Sequence, residues 1–229
     1  MRTLPKRTTT DDAGNTYCSD CGAKVEGGYC NCDLPAPPSR RKPKPPKVKP
    51  FRVLGLDLSL SPGIAAIEVR NRQPHLIAAT SVATSSDDPD AVRSAVVESF
   101  VSQFVYTHRP FDVVVREDFT SGRNKRATQT IFNAWASADR ALYPFGYIAL
   151  NIEDPPKLAP TYVKKTVTEI LGKANGKAEK DEVAKAVRKW LRLPDDYPFT
   201  KGYDDSDACA VILAYLIREN LIDTSVAAA

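Results

Sequence analysis

The sequence predicts an α/β fold built on a mixed sheet, and three observations support this prediction. Between residues 51 and 220, short runs rich in β-branched and aliphatic residues alternate with stretches of helical periodicity. Three of the short runs come first, separated only by turns, and helices separate the later ones, which is typical of a sheet with antiparallel and parallel strands. The 229 residues, 42% of them hydrophobic, suffice for one core plus an accessory piece.

The elements are predicted in the order three strands, helix, strand, helix, strand and three helices. We expect strands at 51–59, 63–70, 75–84, 111–118 and 146–153, and helices at about 89–107, 127–143, 161–171, 178–191 and 205–220. In the first helix, apolar residues at helical spacing predict a core face made of Val92, Ala95, Val96, Phe100 and Phe104.

We expect neither a membrane span nor a signal peptide. No apolar run approaches the ~18 residues of a membrane span. The first residues lack the apolar region of a secretory signal. We therefore expect a soluble, cytoplasmic protein, located in the host cytoplasm if its source is a virus.

Charged residues are distributed unevenly along the chain. Residues 1–50 hold ten Lys/Arg and five acids, whereas residues 51–229 are nearly neutral, with ten Lys/Arg and four acids at 157–192. Such basic stripes suggest a polyanionic partner, although solvated helix faces explain them equally well. The proline-rich, acid-free segment 34–50 is typical of an extended linker. We therefore predict three parts, with a module at 1–33 before the linker and the main domain after it.

Four of the five cysteines lie within fifteen residues, in "CSDCGAKVEGGYCNC". Thiolates at this spacing, with glycines between them, can converge on one tetrahedral Zn²⁺, and a short segment without a core needs such a staple. Two disulfides are the alternative, which a cytosolic compartment disfavours. We predict a zinc-ribbon-like module with one structural zinc bound by Cys18, Cys21, Cys30 and Cys32. Cys209 stands alone in the sequence and is expected to be a buried, inert thiol.

Acidic residues stand in apolar surroundings on three separate elements. Asp57 lies inside the strand-like run "VLGLDLSLSPG", and Glu117 ends the run "DVVVRE". Asp204 and Asp207, in "YDDSDACAVILAYL", open the last helix, and their i, i+3 spacing places both on one face. Structural roles explain three of these acids one at a time: helix capping for Asp204, the helix dipole for Asp207 and a strand-end position for Glu117. They do not explain Asp57, because a lone carboxylate among aliphatics costs several kcal/mol unless it is paired or metal-bound.

Carboxylates that converge repel one another unless cations neutralise them, and Mg²⁺ prefers hard oxygen ligands. Two such ions about 4 Å apart would activate a water and stabilise the leaving oxygen in phosphodiester cleavage. The spacing alone leaves both the metal-site and the structural interpretation open.

Four blocks, in matching order and spacing, resemble the RuvC family of Holliday-junction resolvases. The blocks are "VLGLDLSLSPGIAAIEV", "VVVREDF", "VKKTV…GKAEKDEVAKAVRKWLRLP" and "DDSDACAVILA". The resemblance implies a ribonuclease H-like five-stranded mixed sheet flanked by helices, a homodimer, and Mg²⁺-dependent or Mn²⁺-dependent nicking of two strands at a four-way junction. It also implies catalytic roles, with two metal ions per site, for Asp57, Glu117, Asp204 and Asp207. The compact chain with its extension is similar to viral-type members.

The resemblance also assigns basic residues. The family's two functional lysines fall on Lys164 and Lys180, with Lys165 as the alternative to the first. The segment "SGRNKRATQ", residues 121–129, follows Glu117 and is predicted as a flexible basic loop that holds phosphates, with a solvated loop as the alternative. The residues assigned to DNA contact are Phe119, Arg123, Lys125, Arg126, Lys165 and, in the linker, Arg40, Arg41, Lys42 and Lys44.

The helix predicted at 127–143 carries an apolar arc wider than one sheet-facing stripe. The arc consists of Ile131, Phe132, Trp135, Ala138 and Leu142. It packs either across the twofold axis that the resemblance implies or within a thick core, and we favour the dimer.

The sequence departs from the family in places, and rival functions remain. Phe119 comes one residue before the position of the family's junction-stacking phenylalanine, and the insertions "TEILGKANG" and "DDYPFTKGY" lengthen segments beside the site. Cleavage-sequence preference therefore does not carry over. The rivals are another ribonuclease H-like nuclease, such as a ribonuclease H or a transposase-like enzyme, and a non-catalytic zinc-bearing DNA-binding adaptor. The chain is too short for an actin-like sugar kinase, and we expect no small-molecule substrate.

Overall fold

The computed structural model describes residues 8–19, 22–25, 49–59, 61–118, 125–147 and 157–224. The chain divides into two compact units, Met1–Lys47 and Val48–Ala229. No helix in the described part of the chain is long and apolar enough to cross a bilayer. Predicted residues outside these ranges are Cys21, Cys30, Cys32, Arg40, Arg41, Lys42, Lys44, Phe119 and Arg123.

In the first unit, the described residues form a hairpin. Strand β1 (Thr8–Thr10) pairs antiparallel with β2 (Thr16–Cys18). The Asp11 carboxylate holds the connecting turn by accepting hydrogen bonds from the backbone N–H groups of Ala13 at 3.1 Å and Asn15 at 2.8 Å. The hairpin ends at Cys18, which is buried.

The second unit is built on a five-stranded mixed sheet, as predicted. Its strands are β3 (Phe51–Asp57), β4 (Gly63–Arg70), β5 (Gln73–Ser81), β6 (Val113–Glu117) and β7 (Lys157–Leu158), in the spatial order β5-β4-β3-β6-β7. Strands β3, β4 and β5 form an antiparallel meander, whereas β6 runs parallel to β3, and β7 parallel to β6. Because β3 and β6 are parallel, their carboxyl ends lie at the same edge of the sheet, which we call the carboxyl edge.

Helices cover both faces of this sheet. Helices α1 (Asp90–His108) and α2 (Lys125–Leu142) form one layer, and α3 (Pro160–Thr168), α4 (Lys180–Leu191) and α5 (Asp204–Arg218) form the other. Side chains of each strand alternate between the layers. Val53 and Val115 pack in the α5 layer, whereas Leu54, Leu56 and Val114 pack in the α1/α2 layer. The same alternation directs Asp57 and Glu117 toward the α5 layer.

Helix α5 lies close to the strands because two glycines leave room for it. A Cβ atom on Gly55 would lie 2.6 Å from the carbonyl oxygen of Ala208, and one on Gly63 would overlap the carbonyl group of Asp204. Gly63 is also the register partner of Asp57 in the β3–β4 pair. The contact at Gly63 therefore brings the start of α5 next to the end of β3.

The predicted core face of α1 is correct at Phe104 and at Phe100, which is partly buried against the core, and wrong at the other three positions. The buried residues are Arg93, Val97, Val101, Phe104 and Val105, and Val92 is exposed. Apolar residues are spread around this helix, so periodicity could not select one face. The contact with the sheet selects it instead.

One further local prediction is wrong, and another falls mostly outside the described residues. Helix α2 begins at Lys125, so Lys125 and Arg126 lie on its first turn rather than in a loop that extends to residue 129. Lys and Arg are good helix formers, which permits this extension. The fifth strand is β7, whereas the predicted strand 146–153 lies mostly outside the described residues, and its first two residues are not in a strand.

Candidate active site

Three carboxylates converge at the carboxyl edge of the sheet. Asp57 ends β3, and Asp204 and Asp207 lie on the first turn of α5. Each of the three offers an oxygen atom within 4.8 Å of an oxygen of the other two. Hard oxygen ligands at these separations suit a divalent cation such as Mg²⁺ or Mn²⁺. The acids that sequence analysis selected on separate elements are therefore neighbours in space.

Glu117, at the end of β6, belongs to the same electrostatic cluster. Burial, and then repulsion from Asp57 and Asp207, raise the pKa of Glu117 to about 8. Burial, followed by repulsion from Asp207 and Asp204, raises the pKa of Asp57 to about 7. The described side chains thus leave these carboxylates with excess negative charge, which is the chemistry of a site that receives cations.

Lys180, the first residue of α4, contacts two of the carboxylates. Its Nζ donates hydrogen bonds to Asp204 Oδ1 at 2.7 Å and to the carbonyl oxygen of Gly202 at 2.8 Å, and it lies 3.4 Å from Asp207 Oδ2. Burial opposes the charged form of Lys180, but the hydrogen bond to Asp204 and the attraction of Asp207 outweigh burial and raise its pKa. The side chain is 49% exposed, so the ammonium group can also reach a ligand.

Lys164, on α3, acts on the same cluster through its charge. Its Nζ donates a hydrogen bond to the carbonyl oxygen of Ala178 at 2.9 Å. Its positive charge partly offsets the rise in the pKa of Asp57 and of Glu117. The alternative, Lys165, is exposed on the next helical position. Between these two lysines, Lys164 is the one that the fold directs toward the carboxylates.

Sequence analysis missed the role of Asp205. The residue that precedes α5 is Tyr203, which provides no side-chain cap, so neither Asp204 nor Asp205 caps this helix. Asp205 is buried, and its Oδ atoms accept hydrogen bonds from the backbone N–H of Thr200 at 3.0 Å and from its hydroxyl at 2.9 Å. Asp205 therefore fixes the turn that carries Gly202, whose carbonyl binds Lys180.

Two of the residues predicted to contact DNA lie on helix α2. Lys125 and Arg126 are exposed at the start of α2. Arg126 lies 3.9 Å from the carboxylate of Asp90, on α1.

Cys209 is fully buried in α5, where burial raises the pKa of its thiol, which confirms the prediction of a buried, inert cysteine.

Comparisons with known proteins converge on one family. Residues 53–215 match the family model of crossover junction endodeoxyribonuclease RuvC. The curated protein of that name from Neisseria meningitidis serogroup A is 27% identical over 175 residues, which cover 74% of this chain and 86% of the relative. The one from Pseudarthrobacter chlorophenolicus is 31% identical over 174 residues, which cover 73% and 81%.

A solved structure shows the same fold. T. thermophilus RuvC in complex with Holliday junction substrate aligns with a TM-score of 0.60 at 22% sequence identity. The alignment covers 75% of this chain and 96% of that chain. The second unit accordingly has the architecture of RuvC.

Proposed function

The chain belongs to the RuvC family of crossover junction endodeoxyribonucleases, and on that premise we propose that it resolves Holliday junctions by metal-dependent hydrolysis of phosphodiester bonds. The observation that carries the proposal is the convergence of Asp57, Asp204 and Asp207, with oxygens within 4.8 Å of one another, at the carboxyl edge. All three lie within the residues that match the family model. A non-catalytic adaptor would not need this concentration of like charge.

We assign the four carboxylates of Asp57, Glu117, Asp204 and Asp207 as ligands for two Mg²⁺ or Mn²⁺ ions per site. Such ions, when bound, activate a water and stabilise the leaving oxygen in phosphodiester cleavage. The role of the protein is to hold these ligands in fixed positions. Asp57 and Glu117 are fixed by adjacent parallel strands, and the other two by the first turn of α5.

The two lysines complete the site. Lys180 holds Asp204 through a 2.7 Å hydrogen bond and lies beside Asp207, so it fixes both ligands. Being half exposed, it can also donate to a non-bridging phosphate oxygen of the substrate. Lys164 lowers the repulsion among the carboxylates by its charge. Lys125 and Arg126, exposed at the start of α2, are proposed contacts to DNA phosphates.

A homodimer is the second part of the proposal. A four-way junction has pairs of equivalent strands, and a twofold dimer presents two equivalent active sites. Trp135, Ala138 and Leu142 of the predicted arc are buried within the protomer, whereas Phe132 is 45% exposed on α2. Light scattering should give the mass of a dimer. A monomer that persists even when bound to a junction would contradict this assembly.

A structural zinc is the third part. The spacing of Cys18, Cys21, Cys30 and Cys32 supports it, and so does the tight turn in which Gly22 N–H donates a 2.8 Å hydrogen bond to the carbonyl oxygen of Cys18. Metal analysis of the purified protein should find one zinc per chain, and chelation should unfold the module. Protein without zinc, whose four cysteines are oxidised in pairs, would refute the assignment.

One assay tests the principal function. The full chain is incubated with a synthetic four-way junction, a linear duplex and an RNA–DNA hybrid, each with and without Mg²⁺. We expect paired nicks in the junction only when Mg²⁺ is present, and little cutting of the duplex. Preferential cutting of the hybrid would indicate a ribonuclease H instead, and tight junction binding without cutting would indicate an adaptor.

A further inference from the structure

A pocket opens at the carboxyl edge, in the α1/α2 layer rather than the α5 layer. The space within it, including the open solvent at its mouth, is about 270 Å³. It is contained entirely within the second unit. The polar residues that line it include Ser59, Thr84, Asp90, Arg93, Ser94 and Asn133.

Arg93 gives this pocket its chemical character. The side chain is only 9% exposed, although arginine is rarely buried without full pairing. One terminal nitrogen lies 3.3 Å from Asp90 Oδ1, a long hydrogen bond. Its Nε is buried and has no hydrogen-bond partner within the part of the chain that the structure describes. A buried guanidinium donor without an acceptor is unfavourable, so a ligand that offers Arg93 an acceptor would be stabilised in this pocket.

The charge of the pocket favours an anion as that acceptor. The carboxylate of Asp90 is shared by Arg93 and by Arg126, which leaves a net positive charge in this group. The remaining lining side chains are uncharged. Ser59 Oγ accepts a hydrogen bond from Ser61 N–H at 3.1 Å, so its hydroxyl proton remains available to a further acceptor.

The position of the pocket relative to the carboxylates suggests where the anion comes from. Ser59 follows Asp57 by two residues, so their Cα atoms are at most about 7 Å apart. The carboxylates lie on one face of the sheet edge, and the pocket lies on the other. A polyanionic strand that crosses this edge would pass both.

We infer that the Arg93 pocket binds a backbone phosphate of the DNA strand that enters the active site. This inference rests on the proposed nuclease function and adds a phosphate-positioning site to it. Phosphate oxygens suit the guanidinium fork, because they accept the charge-assisted hydrogen bonds that Arg93 Nε lacks. The occupied site would fix the register of the strand relative to the metal ligands.

The test compares two arginines of the same layer. Arg93→Gln removes the charge from the pocket. Arg140→Gln is the matched control, because Arg140 is also an arginine of the α1/α2 pair, bonded to Glu98 at 2.8 Å, and it does not line the pocket. Affinity of the full chain for a four-way junction is measured by fluorescence anisotropy over a range of salt concentrations without divalent metal. Thermal melting of each variant is recorded in parallel.

For Arg93→Gln we expect a roughly tenfold loss of affinity and a slope of log affinity against log salt that is shallower by about one. Arg140→Gln should keep the wild-type slope. Arg93→Lys, which keeps the charge but not the fork, provides a folded comparison and should keep the slope while it binds more weakly. If the slope for Arg93→Gln equals that of wild type in molecules that remain folded, the residue is structural and the inference fails.

The outcomes separate the two proposals. If wild type neither binds nor cuts a junction, the nuclease proposal and this inference both fail. If wild type cuts a junction but the Arg93→Gln slope is unchanged, only the inference fails. Inorganic phosphate is a further probe of the pocket. Suppose that phosphate raises the melting temperature of wild type but not of Arg93→Gln, while the slope for junction binding is the same in both. The pocket would then bind free phosphate, and the DNA assignment would be overturned.

Discussion

Glu68 and Asp57 are acids on paired strands of one sheet, but their surroundings differ. Glu68, on β4, is 2% exposed and accepts hydrogen bonds from Arg52 Nε at 2.7 Å and from Arg70 Nε. Burial opposes its ionisation, but the bonds from these two arginines outweigh burial and lower the pKa of Glu68. Asp57, on β3, lies near Asp207 and Asp204 instead, and its pKa is raised to about 7.

The difference shows two ways to accommodate a buried carboxylate. The charge of Glu68 is balanced within the chain, so Glu68 stabilises the fold once it is ionised. The charge of Asp57 is incompletely balanced by Lys180 and Lys164, which supports the proposal that Asp57 binds a cation. Replacing each acid by its amide should therefore have opposite consequences, and the predictions below test that contrast.

The largest expected effect is the loss of cleavage in Asp57→Asn. The amide is nearly isosteric, but it removes an anionic metal ligand, and metal stabilisation of the transition state is worth several kcal/mol. Junction cleavage in Mg²⁺ should fall by at least ~100-fold. Junction affinity should hold or increase, because one negative charge that faces the phosphates is removed. Glu117→Gln, Asp204→Asn and Asp207→Asn should behave alike. A near wild-type cleavage rate in Asp57→Asn would refute the metal-site assignment.

The next effect is a loss of stability in Glu68→Gln, which also serves as the control for Asp57→Asn. Losing the charged partner of two arginines should lower the free energy of unfolding by about 2 kcal/mol at neutral pH. The cleavage rate per folded molecule should stay near that of wild type. Chemical denaturation and single-turnover cleavage measure the two quantities. If Glu68→Gln showed a cleavage defect as large as that of Asp57→Asn, the proposed difference in role between the two acids would be refuted.

The stability effect of Glu68→Gln should also depend on pH. Because the folded-state pKa of Glu68 lies below its ordinary value of 4.5, its ionisation stabilises the fold above that pH, and the contribution is lost as the pH falls through the lowered value. The stability of wild type and of Glu68→Gln should therefore converge below pH 4.5. A constant difference down to strongly acidic pH would contradict the pairing.

A smaller effect should appear in thermal melting without metal. In the presence of EDTA, Asp57→Asn should melt a few degrees above wild type, because it relieves repulsion in the cluster. Mg²⁺ should raise the melting temperature of wild type more than that of the variant, because it binds the folded site. Differential scanning fluorimetry measures both. A variant that melts below wild type in EDTA would indicate a structural role for Asp57.

The smallest effect concerns residues 1–50. Deleting them should leave a folded nuclease that still cuts junctions, because the family model matches residues 53–215. The slope of log junction affinity against log salt should become shallower, since the linker contributes about six Lys/Arg that can release counterions from DNA. Anisotropy titrations of the two chains measure the slope. An unchanged slope would indicate that the linker acts only as a spacer.

Local pattern in the sequence determined the strands of the meander, the type of each main helix and the positions of the four acids. Strand periodicity placed Asp57 in the first predicted strand, although the structure ends that strand at Asp57 itself, and the apolar stripe of α5 sufficed to place Asp204 and Asp207 on its first turn. These features depend on residues only a few positions apart. For that reason they can be predicted from the sequence alone, before the fold is known.

Only the tertiary structure decided which groups meet. Asp57 and Asp207 become neighbours because α5 packs against Gly55 and Gly63, and the space at a glycine depends on residues about 150 positions away. The same holds for Arg93, which α1 turns toward the sheet although apolar residues occupy every side of that helix. Periodicity records how regularly residues recur along a segment. It does not record what the segment packs against, and packing decides which charge is buried, which is paired and which is left for a ligand.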